Sequence, residues 1–296
     1  MTRVSRRSAV VLLIAVTAVW GATFTVVKFA LADSGPFTFL ALRFLLAAAL
    51  VAPALPRGLR GPAATDCFPP LAIACGVALF AGLALQTVGL GTTTPARSAF
   101  ITALSAVLVP LVGPVLGVER FSPRAWAGAL LACAGLAAIL HPGRDPLSVG
   151  DALTLGGAVA FAIHIPLLNA AVRVVPAARV NAIQVAVVAV LGGGAASLEG
   201  WQARPSMRLA IVVVATAVVA TVAAFRVMTE VQRLLSGAET GVVLAFEPFV
   251  AALVSVATGA DVMTASLFVG GSVVVAGVLL ATWRPRRQAS PSAPGA

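Results

Sequence analysis

The sequence predicts an all-α polytopic membrane protein, with ten transmembrane helices arranged as two inverted five-helix repeats. Three observations carry that prediction: an apolar composition, ten apolar runs of spanning length, and a gapless match between residues 96–140 and 238–282. Of the 296 residues, 60% are hydrophobic and 10% charged, with a mean hydropathy of +1.03. A soluble domain carries about a quarter charged residues, and a disordered chain combines low hydrophobicity with high charge, so both classes are excluded. An outer-membrane barrel is disfavoured, because its strands alternate apolar and polar side chains and these runs are apolar throughout.

A spanning helix needs about 20 residues. Stretches of that size fall at about 8–28, 36–55, 68–90, 95–117 and 123–141. The second five fall at about 148–171, 178–198, 207–230, 237–259 and 263–283. The first follows Arg3, Arg6 and Arg7 and runs on to Val27; it outlasts the apolar core of a signal peptide and reads as a retained helix. The turn Ala32-Asp33-Ser34-Gly35 precedes Pro36, where the second begins. His141-Pro142-Gly143-Arg144-Asp145-Pro146 separates the fifth from the sixth, and Leu198-Glu199-Gly200-Trp201 closes the seventh. Trp126, Trp201 and Trp283 fall near helix ends, where interfacial anchors belong. The expected organisation is a cytoplasmic segment over residues 1–7, five-helix repeats over 8–141 and 148–283, and a basic, disordered cytoplasmic tail over 284–296.

Lys and Arg number 20 against 10 Asp and Glu, a net +10. With the N-terminus inside, the inner segments collect Arg3, Arg6, Arg7, Arg57, Arg60, Arg120, Arg124, Arg173, Arg179, Arg233, Arg284, Arg286 and Arg287. The outer connections hold only Lys28, Arg97, Arg144, Arg204 and Arg208. The positive-inside rule therefore places both termini in the cytoplasm of a cell membrane protein. No basic helix or aromatic-basic interleaving stands outside the apolar runs, so nucleic acid is not an expected partner. Lys28 is expected to snorkel outward. Cys67, Cys75 and Cys133 form no C-x-x-C pair, which argues against a disulfide framework or zinc site. Cys75 and Cys133 read as small buried hydrophobes, and no metal or cofactor is expected.

Residues 96–140 align with 238–282 at an offset of 142. Ala96, Ala103, Leu111, Val112, Gly117, Gly128, Ala134 and Gly135 recur as Ala238, Ala245, Leu253, Val254, Gly259, Gly270, Ala276 and Gly277, and acidic Glu119 falls on Asp261. Five spans per half is an odd number, so the second half enters the membrane upside down. Such inverted repeats characterise many alternating-access transporters, whose central site faces either side in turn.

The order of motifs resembles the drug/metabolite transporter superfamily, in particular its EamA-type ten-helix branch. Trp20-Gly21-Ala22-Thr23-Phe24 is similar to that family's W-G-x-x-F opening, and Arg43 stands seven residues after Pro36 like its P…R. Leu85-Gln86-Thr87-Val88-Gly89-Leu90, Thr94-Pro95-Ala96 and Val107-Leu108-Val109-Pro110-Leu111 resemble its carboxylate, amino acid and amine transporter subgroup. Glu119, Gly128 and Gly135 match the E…G…G that ends the first repeat; Pro248, Asp261, Gly270 and Gly277 echo it in the second. Gly150-Asp151-Ala152-Leu153 resembles the G-D-x-L that opens the second repeat. Ala106 departs from the proline that many members carry opposite Pro248, Asp261 from a commoner Glu, and Phe161 from a commoner Trp.

Ionisable groups at membrane depth are functional candidates by default. Arg43, a third of the way along the second helix, suits a carboxylate or phosphate through bidentate hydrogen bonds; a structural Arg tied to carbonyls or an acid is the alternative. Glu247 lies eight residues beyond Glu239, roughly 12 Å further along a helix. It suits an amine or a coupling proton, unless it pairs with Arg43. Arg97 and Glu239 occupy equivalent repeat positions with opposite charge. Glu239 is favoured by the helix dipole, and Arg97, disfavoured there, suits an external gate or an anion. His164 suits pathway lining or proton handling, with a neutral buried donor as the alternative; Gln86, Asn181 and Gln184 suit pathway lining or, as such amides often do, hydrogen bonds across helices. Trp20, Phe24 and Phe100 are candidates for a pocket wall or for plain packing.

The expected function is secondary transport of a small-molecule solute across the lipid bilayer by alternating access, as an exporter. The solute is an amino acid, amine, carboxylate or drug-like molecule, protons are a candidate coupling ion, and a homodimer is a candidate assembly. A membrane-embedded enzyme would need a cluster of nucleophiles, metal ligands or carboxylates; the two histidines, His141 and His164, stand far apart in sequence. No G-x-x-x-x-G-K-[ST] is present to cradle ATP. A passive scaffold leaves Arg43 and Glu247 unexplained.

Overall fold

The computed structural model describes residues 5–52, 70–115, 123–140, 147–231, 234, 243–244 and 246–282. Ten helices of eleven residues or more follow one another among the described residues: α1 Arg6–Ala30, α2 Pro36–Val51, α3 Pro70–Leu90, α4 Pro95–Val115 and α5 Pro123–Leu140. The second repeat holds α6 Val149–Val174, α7 Ala177–Glu199, α8 Met207–Val231, α9 Glu247–Ala257 and α10 Ala265–Thr282. Five of them (α1, α3, α6, α7 and α8) are long and apolar enough to cross a bilayer, and shorter apolar helices supply the rest. Their outer faces carry exposed Val115, Leu130, Val190 and Leu198, as helices that meet lipid rather than water should. Cys75 is buried as expected, but Cys133 is exposed on α5 and fills no core.

Local chemistry sets the helix ends. Ser5, Ser148 and Ser206 each accept the third backbone N–H of the following helix, and at α6 Asp151 reaches back to complete a capping box. Gly200 ends α7 with φ +89°, a conformation that costs glycine little. Two helices differ from expectation. The run expected over 237–259 is not one regular helix among its described residues: Val243 and Leu244 are helical, the chain turns at Phe246, whose N–H bonds the Val243 carbonyl, and α9 starts at Glu247 with Pro248, which has no N–H to give, in its first turn. The eighth span is not uniform either: residues Thr216–Ala223 wind as a π-helix.

The inverted repeat is visible in the packing. A Cβ on Gly135 would lie 2.6 Å from the carbonyl oxygen of Gly270, and one on Gly270 would lie 2.7 Å from that of Gly135. A Cβ on Gly277 would lie 2.6 Å from the carbonyl oxygen of Gly128. Because Gly128 is equivalent to Gly270 and Gly135 to Gly277, the α5–α10 seam is its own image under exchange of the repeats. That is the signature of an isologous two-fold interface, built here inside one chain. A second close seam joins α3 to α6, where Gly89 and Gly150 lie against one another's carbonyls.

Candidate solute site

A cavity with an empty volume of about 840 Å³, partly open to its surroundings, lies between the repeats. Helices α1 to α4 contribute Trp20, Thr23, Phe24, Arg43, Leu79, Leu83, Gln86, Thr102 and Ser105. Helices α6, α8 and the approach to α9 contribute Phe161, His164, Ile165, Leu168, Phe225, Met228, Leu244 and Glu247. At the offset of 142, Thr102 corresponds to Leu244 and Ser105 to Glu247. The cavity thus straddles the pseudo-two-fold axis, and the second repeat carries an acid where the first carries a hydroxyl.

Each polar wall residue has a definable environment. Arg43 is buried; its Nε donates to Thr221 Oγ1 at 2.8 Å, and its Cζ lies 5.3 Å from the centroid of the Phe44 ring, within cation–π range. Trp20 Nε1 donates to the Ala220 carbonyl at 3.0 Å, and its ring meets Phe225 edge-on at 5.6 Å. Gln86 Nε2 donates to Thr102 Oγ1 at 3.0 Å. Behind the wall, Gln184 Nε2 donates to Asn181 Oδ1 at 3.1 Å, which turns its oxygen toward His164 Nε2, also 3.1 Å away. In that arrangement, assigned from the hydrogen-bond network, Nε2 carries the hydrogen and Nδ1 is left as an acceptor. Glu247, the first residue of α9, is half-buried and pairs neither with Arg43 nor with any other described cation.

Polar contacts tie the repeats together at one end of the bundle, called the closed end below. Asp151 of α6 forms an ion pair with Arg97 of α4, 2.7 Å between Nη2 and Oδ2, and accepts a hydrogen bond of 2.5 Å from Thr93. Glu199 at the end of α7 accepts from the N–H groups of Phe37 and Thr38 and from the Thr38 hydroxyl, capping α2. Asp261 accepts from the Ala96 N–H and from Ser255, capping α4. Asp33 accepts from Ser206 and, with both oxygens, from Arg208; this pairing draws its carboxyl down to about 2. At the same end, Lys28 Nζ donates to the carbonyls of Leu90, Gly91 and Thr93, where α3 presents the negative end of its dipole.

Six sequence candidates therefore meet in the cavity: Trp20, Phe24, Arg43, Gln86, His164 and Glu247. Gln184 and Asn181 stand behind His164. Phe100 is fully buried against Phe249, 5.9 Å away edge-on, and Arg97 belongs to the closed end. Glu239 lies outside the described residues. Sequence reasoning passed over Asp151, Thr221, Phe161, Phe225 and Ser105. Of these, Ser105 was findable as the repeat image of Glu247, and Asp151 stood in a quoted motif without a role. Among the described residues, no group of three or more His, Cys, Asp or Glu side chains could hold a metal ion.

A ten-helix inverted-repeat bundle with a charged, aromatic-walled cavity between its halves has the architecture of a membrane transporter. Residues 7–141 and 148–283 each match the profile of the EamA-like transporter family, and the chain belongs to that family. It is 28% identical over 269 residues to an "uncharacterized transporter" of Archaeoglobus fulgidus, covering 91% of this chain and 84% of the relative. It also shares its fold with a protein of known crystal structure at TM-score 0.69 and 22% identity, over 94% of this chain and 97% of the other.

Proposed function

We propose that this membrane transporter moves a small organic solute bearing both an ammonium and a carboxylate group, an amino acid in the simplest case, by alternating access. The observation that carries this reading is that the cavity holds one guanidinium and one carboxylate that do not pair with each other. A charge away from water and without a partner costs several kcal/mol, and a zwitterion supplies both missing partners. Arg43 suits the solute carboxylate and Glu247 its ammonium. His164 Nδ1 is a further acceptor, and Trp20, Phe24, Phe161 and Phe225 pack an apolar body.

Arg-rich connections on the opposite side support assigning the closed end to the exterior, with both termini in the cytoplasm. Glu247 can hold either a proton or the solute ammonium, not both. Competition for one carboxylate gives exchange, so an inward proton gradient drives the solute out. The test is flux in proteoliposomes with a panel of amino acids, amines and carboxylates under imposed pH gradients. Acid-driven exchange that loses its pH dependence in Glu247→Gln is the expected result. No flux for any panel member under any gradient, together with no thermal-shift response, overturns the reading.

A further inference from the structure

The stretch Thr216–Ala223 contains neither glycine nor proline, yet α8 leaves α-helical winding there. In a π-helix the N–H groups reach five residues back instead of four. The N–H of Ala224 accordingly bonds the carbonyls of Val219 and Thr221 and passes over that of Ala220. The Ala220 carbonyl accepts the Trp20 indole N–H. Next to it, the fully buried Thr221 hydroxyl donates to the Thr216 carbonyl, five residues back, at 2.9 Å. Its single hydrogen is thereby used, and it meets Arg43 Nε as an acceptor. Two consecutive residues of one wide turn thus hold two cavity-wall side chains that come from two other helices.

We propose that Thr221 is the positioning residue for Arg43, and that the π-helical turn of α8 is the device that brings the Thr221 hydroxyl and the Ala220 carbonyl together at the cavity wall. A guanidinium held at Nε cannot use its side-on fork. Its end-on edge, Nη1 and Nη2, is left to take a carboxylate with two parallel hydrogen bonds. Thr221 therefore sets which edge Arg43 offers and where that edge stands. The inference rests on the reading of Arg43 as the contact for the solute carboxylate.

The test compares leucine and phenylalanine with their carboxamides, in proteoliposome flux and in thermal shift, on the full chain carrying Thr221→Val, Thr221→Ser or Arg43→Gln. Wild type prefers the carboxylate form. Thr221→Val lowers that preference about tenfold, the scale of one hydrogen bond to a charged group, and Thr221→Ser keeps it. A packing role alone would give the opposite order, because valine fills the space better than serine. Thr221→Ala replaces the valine variant if that protein is not monodisperse by size exclusion. If Arg43→Gln abolishes the preference and removal of the Thr221 hydroxyl leaves it intact, the positioning role is overturned and the reading of Arg43 stands. If wild type shows no preference, or Arg43→Gln retains it, the reading of Arg43 falls and the inference with it.

Discussion

The closed end and the cavity are made from the same chemistry used in opposite ways. At the closed end every described acid is engaged: Asp33 by Ser206 and Arg208, Asp151 by Thr93 and Arg97, Glu199 by the α2 N-terminus, Asp261 by the α4 N-terminus. Each of these contacts joins one repeat to the other. In the cavity, Arg43 has a neutral hydroxyl at Nε, and Glu247 has no cationic partner among the described residues. A satisfied charge fixes one arrangement of the helices, whereas an unsatisfied one is available to a visitor. Substitutions at the closed end should therefore act on stability, and those in the cavity on transport.

The largest effect on stability is expected from Arg97→Met, which leaves the Asp151 carboxylate buried without its cation. Breaking a buried pair from one side costs about 3 kcal/mol or more, read as a lowered thermal midpoint in detergent. An unchanged midpoint would mean that the closed end is not held by its ion pair. Next comes Gly135→Val, whose added atoms would press into the Gly270 backbone; overpacking of this kind costs about 1–3 kcal/mol. Gly194→Ala on α7 is its control. A Cβ there meets nothing within 4 Å, so the gain in helix propensity, up to about 1 kcal/mol, should raise the midpoint slightly.

Arg43→Gln and Glu247→Gln sharpen the comparison from the other side. Glu247→Gln should stay within about 0.5 kcal/mol of wild type in stability and lose the pH dependence of its flux; Arg43→Gln gives up the hydrogen bond to Thr221, a loss of about 1.5–3 kcal/mol, and should lose flux. The smallest effect belongs to Asp33. Its carboxyl is held near 2, below the ordinary 3.8, chiefly by Arg208 and Ser206. Its contribution is therefore fully present above the unfolded value and is lost as pH falls through about 2. Because the Arg208 guanidinium of this pair is about half exposed, the difference from Asp33→Asn should also shrink with added salt.

Most of the fold was legible because hydrophobic runs and their breaks follow directly from bilayer thickness, and because the glycine spacing 128/135 returned as 270/277. The same glycines turned out to touch across α5 and α10, a contact that a repeat alone does not specify. The wall of the candidate site was legible where a charge was improbable in lipid, at Arg43 and Glu247, which both line the cavity. Charge alone could not reveal partners: the end of α3 stands beside Lys28, and α6 brings Asp151 within 2.7 Å of Arg97. Thr221 gave no signal at all, since a π-helical turn in an Ala/Val/Thr stretch has no marker residue.

The central claim is that the unpaired charges in the cavity bind and move the solute while the paired charges hold the bundle closed. It is tested most directly by measuring flux and thermal midpoint side by side, in proteoliposomes and detergent, for Arg43→Gln, Glu247→Gln and Arg97→Met. The account predicts that Glu247→Gln keeps the wild-type midpoint and loses the pH dependence of flux, that Arg43→Gln loses flux while still folding, and that Arg97→Met loses midpoint by several degrees. Cavity variants that transport the solute normally, or that fail only because they unfold, would contradict it.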